Sequence, residues 1–278
     1  MLVDKPAGPT SHDVVDVVRR ALGVRRVGHT GTLDPFASGL LVMVVGRATR
    51  LARYLVHQRK RYTGLIRLGT VTDSDDRTGE VTATSEAWTA LTQDHIADAM
   101  ATLVGPGRQR PPAYSAKKVG GQRAYKLARR GEAAPLAEVD VEIVSFSLTS
   151  LQGPDVGFDV LVSGGTYIRS LARDLGACLE CGAHLAELRR TEVGAFAVSD
   201  ACPIDDVGED AVRPPRELVQ HLNAVAVGPA ERDLLRHGRA ITVETDVTGT
   251  VAITSGEELL AIAEADGHEL TPRVVLAT

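Results

Sequence analysis

Residues 28–39, GHTGTLDPFASG, place one carboxylate, Asp34, in a loop punctuated by Gly, Thr and Pro, with His29 five positions before it. An Asp in such a loop shapes a turn or caps backbone by bonding local N–H groups, and spacing alone favours that reading. The alternative is chemical. Loops held between rigid flanks carry binding and catalytic groups, and the apolar run LLVMVVG that follows supplies one such flank. A second cluster, Cys178-Leu179-Glu180-Cys181 with His184 and Cys202 nearby, has metal-like spacing. A structural zinc site wants four ligands, usually two such pairs. With one pair, buried or incidental thiols are expected and no metal. Gly164-Gly165 ahead of a helix could seat an anion, but a plain tight turn is the favoured reading. The chain has no Walker loop, no dinucleotide fingerprint, no G-x-S-x-G and no H-E-x-x-H.

Elements that would position Asp34 can be read from periodicity. Residues 2–4 suit a short strand. Thr10 or Ser11 can cap a helix in which Val14, Val15, Val17, Val18, Ala21 and Leu22 recur near helical spacing, with Gly23 as its stop. The loop at 28–39 leaves little room for regular structure. LLVMVVG reads as a buried strand and ATRLARYLV as a short helix. KRYTGLIRL at 60–68 is a strand and 70–79 a polar turn or long loop. A helix is expected near 92–103, strands near 139–149 and 156–163, a helix through 167–177, and a strand, GAFAV, at the end of 184–198. Prolines at 203, 214 and 215 loosen the chain near 199–224. Beyond them come short β-like runs at 241–243, 250–253, 259–263 and 273–276, with one helix near 229–237. The expected division is a domain over 1–222 and a small β-rich domain over 223–278.

The 278 residues are 44% hydrophobic and 24% charged, which excludes wholesale disorder. No apolar run approaches the ~18 residues of a membrane span, and MLVDKPAGPT lacks a signal-peptide build, so no membrane and a cytoplasmic location are expected. Three cysteines are too few for a disulfide framework. The net charge of −5 conceals a division: residues 1–130 carry +10 and residues 131–278 carry −15. Such asymmetry points to a polyanion on the basic half, although a solvated basic surface gives the same count. Residues 105–131 concentrate the pattern, with Arg108, Arg110, Lys117, Lys118, Arg123, Lys126, Arg129 and Arg130 around Tyr114 and Tyr125. Basic residues interleaved with aromatics suit a stem-loop RNA, charge tracking phosphates and rings stacking on bases.

GHTGTLDPFASG, preceded by VDKPAGPTSHDVV, closely resembles the bacterial tRNA pseudouridine-55 synthases of TruB type. The resemblance continues in KRYTGLIRLG at 60–69, PPAYSAKKVGGQRAYKLAR at 111–129, SGGTYIRSLARDLG at 163–176 and GAHLAELRRTEVGAF at 182–196. These blocks keep the family's order and span residues 1 to about 200. The C-terminal stretch matches weakly; the family would place a PUA-like RNA-binding barrel there. Position 9 is Pro where the family pattern has Met or a similar residue.

The resemblance implies an α/β (α+β) catalytic domain on a mixed, largely antiparallel sheet, acting without a cofactor on uridine 55 in the tRNA T-arm. The family's essential Asp falls on Asp34. Breaking the bond from C1′ to N1 builds oxocarbenium-like charge at C1′, which a carboxylate can stabilise or bond. The family's Arg falls on Arg169 and would hold Asp34 ionised. Tyr62 matches the Tyr that stacks on the target base, and Tyr167 the Tyr placed near base and Asp, a candidate for C5 deprotonation. His29 matches the residue filling the space left by the flipped uridine, and Leu188 an apolar residue lining the uracil pocket. Lys5 and Pro6 match a supporting motif, with Lys5 a candidate phosphate contact. The family's clamping insertion falls on 105–131, where Lys117, Lys118, Arg123 and Arg129 are candidate RNA contacts. Read from residues alone, the tyrosines and Leu188 are core residues and His29 a loop residue. A monomer with no obligatory protein partner is expected. Two other functions use the same features: a tRNA-folding chaperone gripping the elbow, and a guide-RNA-dependent subunit.

Overall fold

A computed structural model describes residues 1–114, 118–119, 122–123 and 136–277. The chain opens with strand β1 (Leu2–Lys5) and helix α1 (Ser11–Leu22). Valines at helical spacing give α1 one buried face, Val14, Val15 and Val18, which packs with Val3, Val27, Leu41 and Met43. Thr10 Oγ1 accepts from the Asp13 N–H at 3.1 Å while Asp13 Oδ2 accepts from the Thr10 N–H at 2.8 Å. This capping box starts the helix, and Gly23, at φ 62°, ends it.

Strands β2 (Val27–His29) and β3 (Ser38–Val45) follow, separated by the loop that carries Asp34. The short helix expected over ATRLARYLV is a 3₁₀ helix, Gly46–Tyr54. Three residues per turn put Ala48 and Leu51 above one another, both in the core. Next come β4 (Lys60–Leu68), β5 (Thr70–Thr72), β6 (Val81–Thr84), α2 (Gln93–Thr102) and β7 (Gly105–Gln109). The backbones of β8 (Lys118–Val119) and β9 (Gln122–Arg123) pair as a small hairpin. The elements of the large sheet are completed by β10 (Val139–Gln152), β11 (Asp155–Val162), α3 (Ile168–Cys178), β12 (Ala183–Val193), β13 (Phe196–Ala197) and β14 (Cys202–Pro203).

Ten of these strands form one sheet, in the order β14-β1-β3-β12-β4-β11-β10-β7, with β2 beside β3 and β13 beside β12. Steps β1/β14 and β3/β12 are parallel and the others antiparallel, so the sheet is mixed and largely antiparallel. Its central strand β12 occupies a stretch, AHLAELRRTEV, whose charges hide it from a search for apolar runs. Those charges have partners: Arg189 makes a two-point pair with Asp4 at 2.7 and 3.0 Å, and Arg190 is taken up by backbone carbonyls.

One apolar core, containing Ile66, Met100, Phe158, Leu171 and Leu185, lies between the sheet and helices α2 and α3. Beyond it, β15 (Asn223–Ala226), α4 (Pro229–Arg236), β16 (Ile241–Ser255) and β17 (Glu258–Val275) build a three-stranded sheet. The four short runs expected here merge into two long, bulged strands, because the stretches that join them are paired but largely exposed and lack the apolar residues that mark a strand. The small sheet shares a core with the large one: Leu40, Val42 and Leu51 pack with Leu259, Ile262 and Val274. Arg47 Nη1 donates to the carbonyls of Leu276 and Ala277, and Arg50 Nη1 to that of Val275 at 2.7 Å. Among the described residues no helix is long and apolar enough to cross a membrane.

Candidate active site

The loop 30–37 is held at its backbone. Leu33 donates its N–H to Ser11 Oγ at 2.8 Å and accepts from the same hydroxyl at 3.0 Å. The Gly8 N–H donates to Pro35 O at 2.8 Å. Two buried cations complete the hold. Arg190, 2% exposed, donates through Nε to Leu40 O (2.7 Å), through Nη2 to Gly31 O (3.0 Å) and through Nη1 to Thr32 O (3.4 Å). Lys5, fully buried, donates through Nζ to the carbonyls of Pro6, Pro9 and Pro35 at 2.8, 2.9 and 3.4 Å.

This placement corrects the reading of Lys5 as a phosphate contact. Its ammonium is enclosed and its three protons are committed to carbonyls. Burial pushes its pKa down to about 8, against a weaker opposing pull from Asp34. Lys60 is similar: it donates to Val56 O and Gln58 O, and burial, reinforced by Arg190, brings it to about 8.

So fixed, Asp34 presents its carboxylate to Arg169, in the first turn of α3. Arg169 Nε lies 3.0 Å from Asp34 Oδ2, and Nη2 donates to Oδ1 at 3.3 Å. The fork of two parallel contacts fixes the carboxylate in orientation as well as charge. The Arg169 side chain is 8% exposed, that of Asp34 33%, so the carboxylate faces an opening with the guanidinium behind it. The remaining Arg169 donors are also used: Nη1 to Ser74 O at 3.2 Å and beside Asp76 Oδ2 at 3.4 Å, Nη2 to Tyr114 O at 2.9 Å.

Asp76 is itself buried and held, its Oδ1 accepting from Ser74 Oγ (2.8 Å), the Thr78 N–H (2.9 Å) and Thr78 Oγ1 (2.6 Å). One guanidinium thus stands between two carboxylates. The balance at Asp34 is not the simple depression that an Arg neighbour suggests. Burial lifts its carboxyl above the usual range; Arg169 pulls it back, Asp76 adds to the rise and Lys5 opposes it.

Leu33 and Phe36, either side of Asp34 and its proline, are buried in the same apolar core as Tyr62, Ile168 and Leu188. Tyr62 on β4 and Leu188 on β12 lie on paired strands and contribute to that core. Tyr167 precedes α3, two residues from Arg169. Its N–H donates to Gln109 Oε1 at 2.8 Å and its carbonyl accepts from Gln109 Nε2 at 3.0 Å. His29 ends β2, at the other side of the loop. Its Nδ1 is buried without a hydrogen-bond partner in the described structure, and burial followed by the charges of Arg190 and His12 lowers its pKa.

Lys117 and Arg129 lie outside the described residues. Lys118 and Arg123 are described as backbone only, paired with each other across β8 and β9. The residues that sequence reasoning missed are Ser74, Asp76, Lys60 and Arg190, and Tyr114, read there as an aromatic on an RNA surface, stands against Arg169 instead. The Asp-rich run TDSDD was the one available signal for Asp76, but it reads as a solvated turn until the loop is seen folded against α3.

The chain is similar in fold to a chain of an H/ACA RNP bound to a substrate RNA containing 2′-deoxyuridine, with a TM-score of 0.76 and 25% identity over 100% of this chain and 85% of that one. It is equally similar to one from a Cbf5-Nop10-Gar1 complex, with a TM-score of 0.75 and 28% identity over 99% and 84%. Residues 19–168 match the model of the TruB family pseudouridylate synthase N-terminal domain, and residues 169–231 that of the tRNA pseudouridylate synthase B C-terminal domain. With a mixed sheet and a clamped carboxylate, these matches define an enzyme of the isomerase class. Proteins named tRNA pseudouridine synthase B from Mycobacterium sp. (strain KMS) and Thermobifida fusca are 44% and 43% identical to it, over 99% and 100% of this chain and 95% and 98% of theirs. The chain belongs to the TruB family of pseudouridylate synthases.

Proposed function

We propose that this enzyme converts uridine 55 in the T-arm of tRNA to pseudouridine. The observation that carries the reading is the two-point clamp of Arg169 on a part-exposed Asp34, in a chain of this family. A base inside a stem-loop is out of reach of a carboxylate so held, so the nucleoside must be everted. In this reading His29 fills the place it leaves, Tyr62 stacks on the uracil and Leu188 lines its pocket.

The C1′–N1 bond breaks with its electrons going to the base. Asp34 stabilises or bonds C1′, the base turns, and C5 joins C1′. The C5 proton is then lost and N1 gains one, so the product is an isomer. Tyr167, two residues before Arg169, is the candidate to assist the proton's departure. No group beyond these side chains is needed for the balance.

The polyanion is held by the basic half, with Lys117, Lys118, Arg123 and Arg129 in the insertion 105–131 as phosphate contacts. We assign the catalytic unit to 1–222 and a small β-rich unit to 223–278, in a monomer that works in the cytoplasm. Purified protein should convert a T-arm hairpin on its own, read by a mass signature for pseudouridine. Asp34→Asn should abolish conversion, by at least about 10³-fold, while hairpin binding stays within about threefold. Conversion by the variant at the wild-type rate overturns the assignment. A requirement for a guide RNA or added protein moves the chain to the guide-dependent class, and binding without turnover leaves a chaperone.

A further inference from the structure

Arg169 meets three segments besides its own helix: the Asp34 loop, the loop 73–80 and the run 109–114. The last of these is fastened along the start of α3. Gln109 exchanges two hydrogen bonds with the Tyr167 backbone. Arg110 O accepts from Ser170 Oγ at 2.8 Å and Arg173 Nη2 at 3.0 Å. Pro111 and Pro112, both buried, then fix the backbone direction. At the end of this run Tyr114 does two things at once. Its carbonyl accepts from Arg169 Nη2 at 2.9 Å, and its phenol donates to Asp73 Oδ2 at 3.0 Å.

Asp73 is the closing residue of the loop 73–80. Its N–H donates to Glu80 O at 3.1 Å, and its Oδ1 accepts from the Glu80 N–H at 2.9 Å. The same loop carries Ser74 O and Asp76, which hold the other side of the Arg169 guanidinium. Arg173 spans the two segments a second time, from Asp75 Oδ2 at 3.0 Å to Arg110 O. The phenol of Tyr114 therefore sets the spacing between two walls whose acceptors decide how far the guanidinium can turn.

We propose, building on the function given above, that Tyr114 is a positioning residue for the reaction: phenol and carbonyl together keep Arg169 in register with the Asp34 carboxylate. Tyr114 acts through Arg169 and needs no contact with the reacting atoms. A hydrogen bond to a charged acceptor contributes more than one between neutral groups, and its loss reaches catalysis as a small change in the Arg169 fork.

The test is Tyr114→Phe, which keeps ring and backbone and removes the phenolic donor. With saturating T-arm hairpin the single-turnover rate should fall about tenfold. KM should stay within about twofold, and the melting temperature within about 2 °C. The groups facing Asp34 are Arg169 from α3, Asp76 from the loop 73–80 and Lys5 from β1. A loosened Arg169 offsets burial less, so the acid limb of the rate profile should move to higher pH. Asp73→Ala should produce the same loss, and the double variant should be no slower than either alone.

A raised KM at an unchanged rate would make Tyr114 an RNA contact. A loss that tracks melting temperature would make it structural. Additive effects in the double variant would separate it from Asp73. Each of these overturns the proposal. Carbon NMR titration of the Asp34 carboxyl in the free protein reads the same coupling without substrate: Tyr114→Phe should raise its midpoint, and an unmoved midpoint overturns the proposal. If the wild type fails to convert the hairpin, the functional reading falls while this titration still decides the role of Tyr114.

Discussion

Gly39 lies beneath the backbone of Arg190, where β3 and β12 run parallel, with so little clearance that a Cβ on Gly39 would sit 2.2 Å from Arg190 O and 2.7 Å from its N. Gly39 also has φ +104°, outside the range of ordinary L-residues. Contact and conformation act together, since both fix the exit of the Asp34 loop into the sheet. Gly39→Ala should cost at least about 3 kcal/mol, measured by urea unfolding, and the surviving folded fraction should show reduced conversion of the hairpin. A loss under about 1 kcal/mol would mean that β3 and β12 can separate there at little cost.

Arg169→Met removes the charge that opposes burial at Asp34. The sign follows from the direction of the balance. Asp34 already titrates above the usual carboxylate range because burial outweighs Arg169, and without the guanidinium it titrates higher still. If the ionised form is the active one, the acid limb of kcat/KM should shift to higher pH, and activity at neutral pH should fall by at least about 10²-fold with partial recovery as pH rises. Hairpin affinity should change by less than about threefold. A dominant loss of affinity would instead place Arg169 on an RNA phosphate.

Lys5 gives a prediction about stability. Its folded pKa, about 8, lies below its ordinary value of 10.5. The unfolded chain therefore binds more protons between those values, and the Lys5 contribution to stability grows as pH rises through that window. Lys5→Met should accordingly be least damaging near pH 7 and more damaging near pH 10. Melting temperatures of the two proteins across that range measure the difference, and a constant or narrowing gap contradicts the placement.

If the basic half is the RNA face, binding must weaken steeply with salt, because each neutralised phosphate releases counterions. The log–log slope should be about −0.7 per phosphate contacted on single-stranded segments and about −0.9 on duplex. Removing Lys118 and Arg123 together should flatten it by one to two such increments. A flat response in the wild type would place the RNA elsewhere.

Much of the frame was legible because local chemistry and tertiary need agree. Thr10, the valine face and Gly23 define α1 from both ends, and LLVMVVG is buried as its composition demands. β12 escaped because a central strand was judged by apolar runs, whereas here Arg189 and Arg190 are neutralised by Asp4 and by loop carbonyls that no one-dimensional pattern reveals. At the site, the blocks around Asp34 and Arg169 announced the pair. Lys5 supports the loop as its motif implied, but its reading as a phosphate contact failed because a lysine in KPAGP looks exposed until Pro6, Pro9 and Pro35 turn their carbonyls inward. Asp76 and the contact of Tyr114 with Arg169 stayed hidden because they lie in what Arg169 reaches across 93 and 55 positions of sequence, respectively.

Two enclosed cations, Lys5 and Arg190, hold the Asp34 segment by main-chain oxygens, those of Pro35, Gly31 and Thr32. Every residue type supplies that oxygen, so substitutions along 30–37 leave the anchors in place. The path of the segment is insulated from drift in its own side chains. Lineages can therefore retune what it offers an incoming nucleoside while inheriting the curve that delivers the acid.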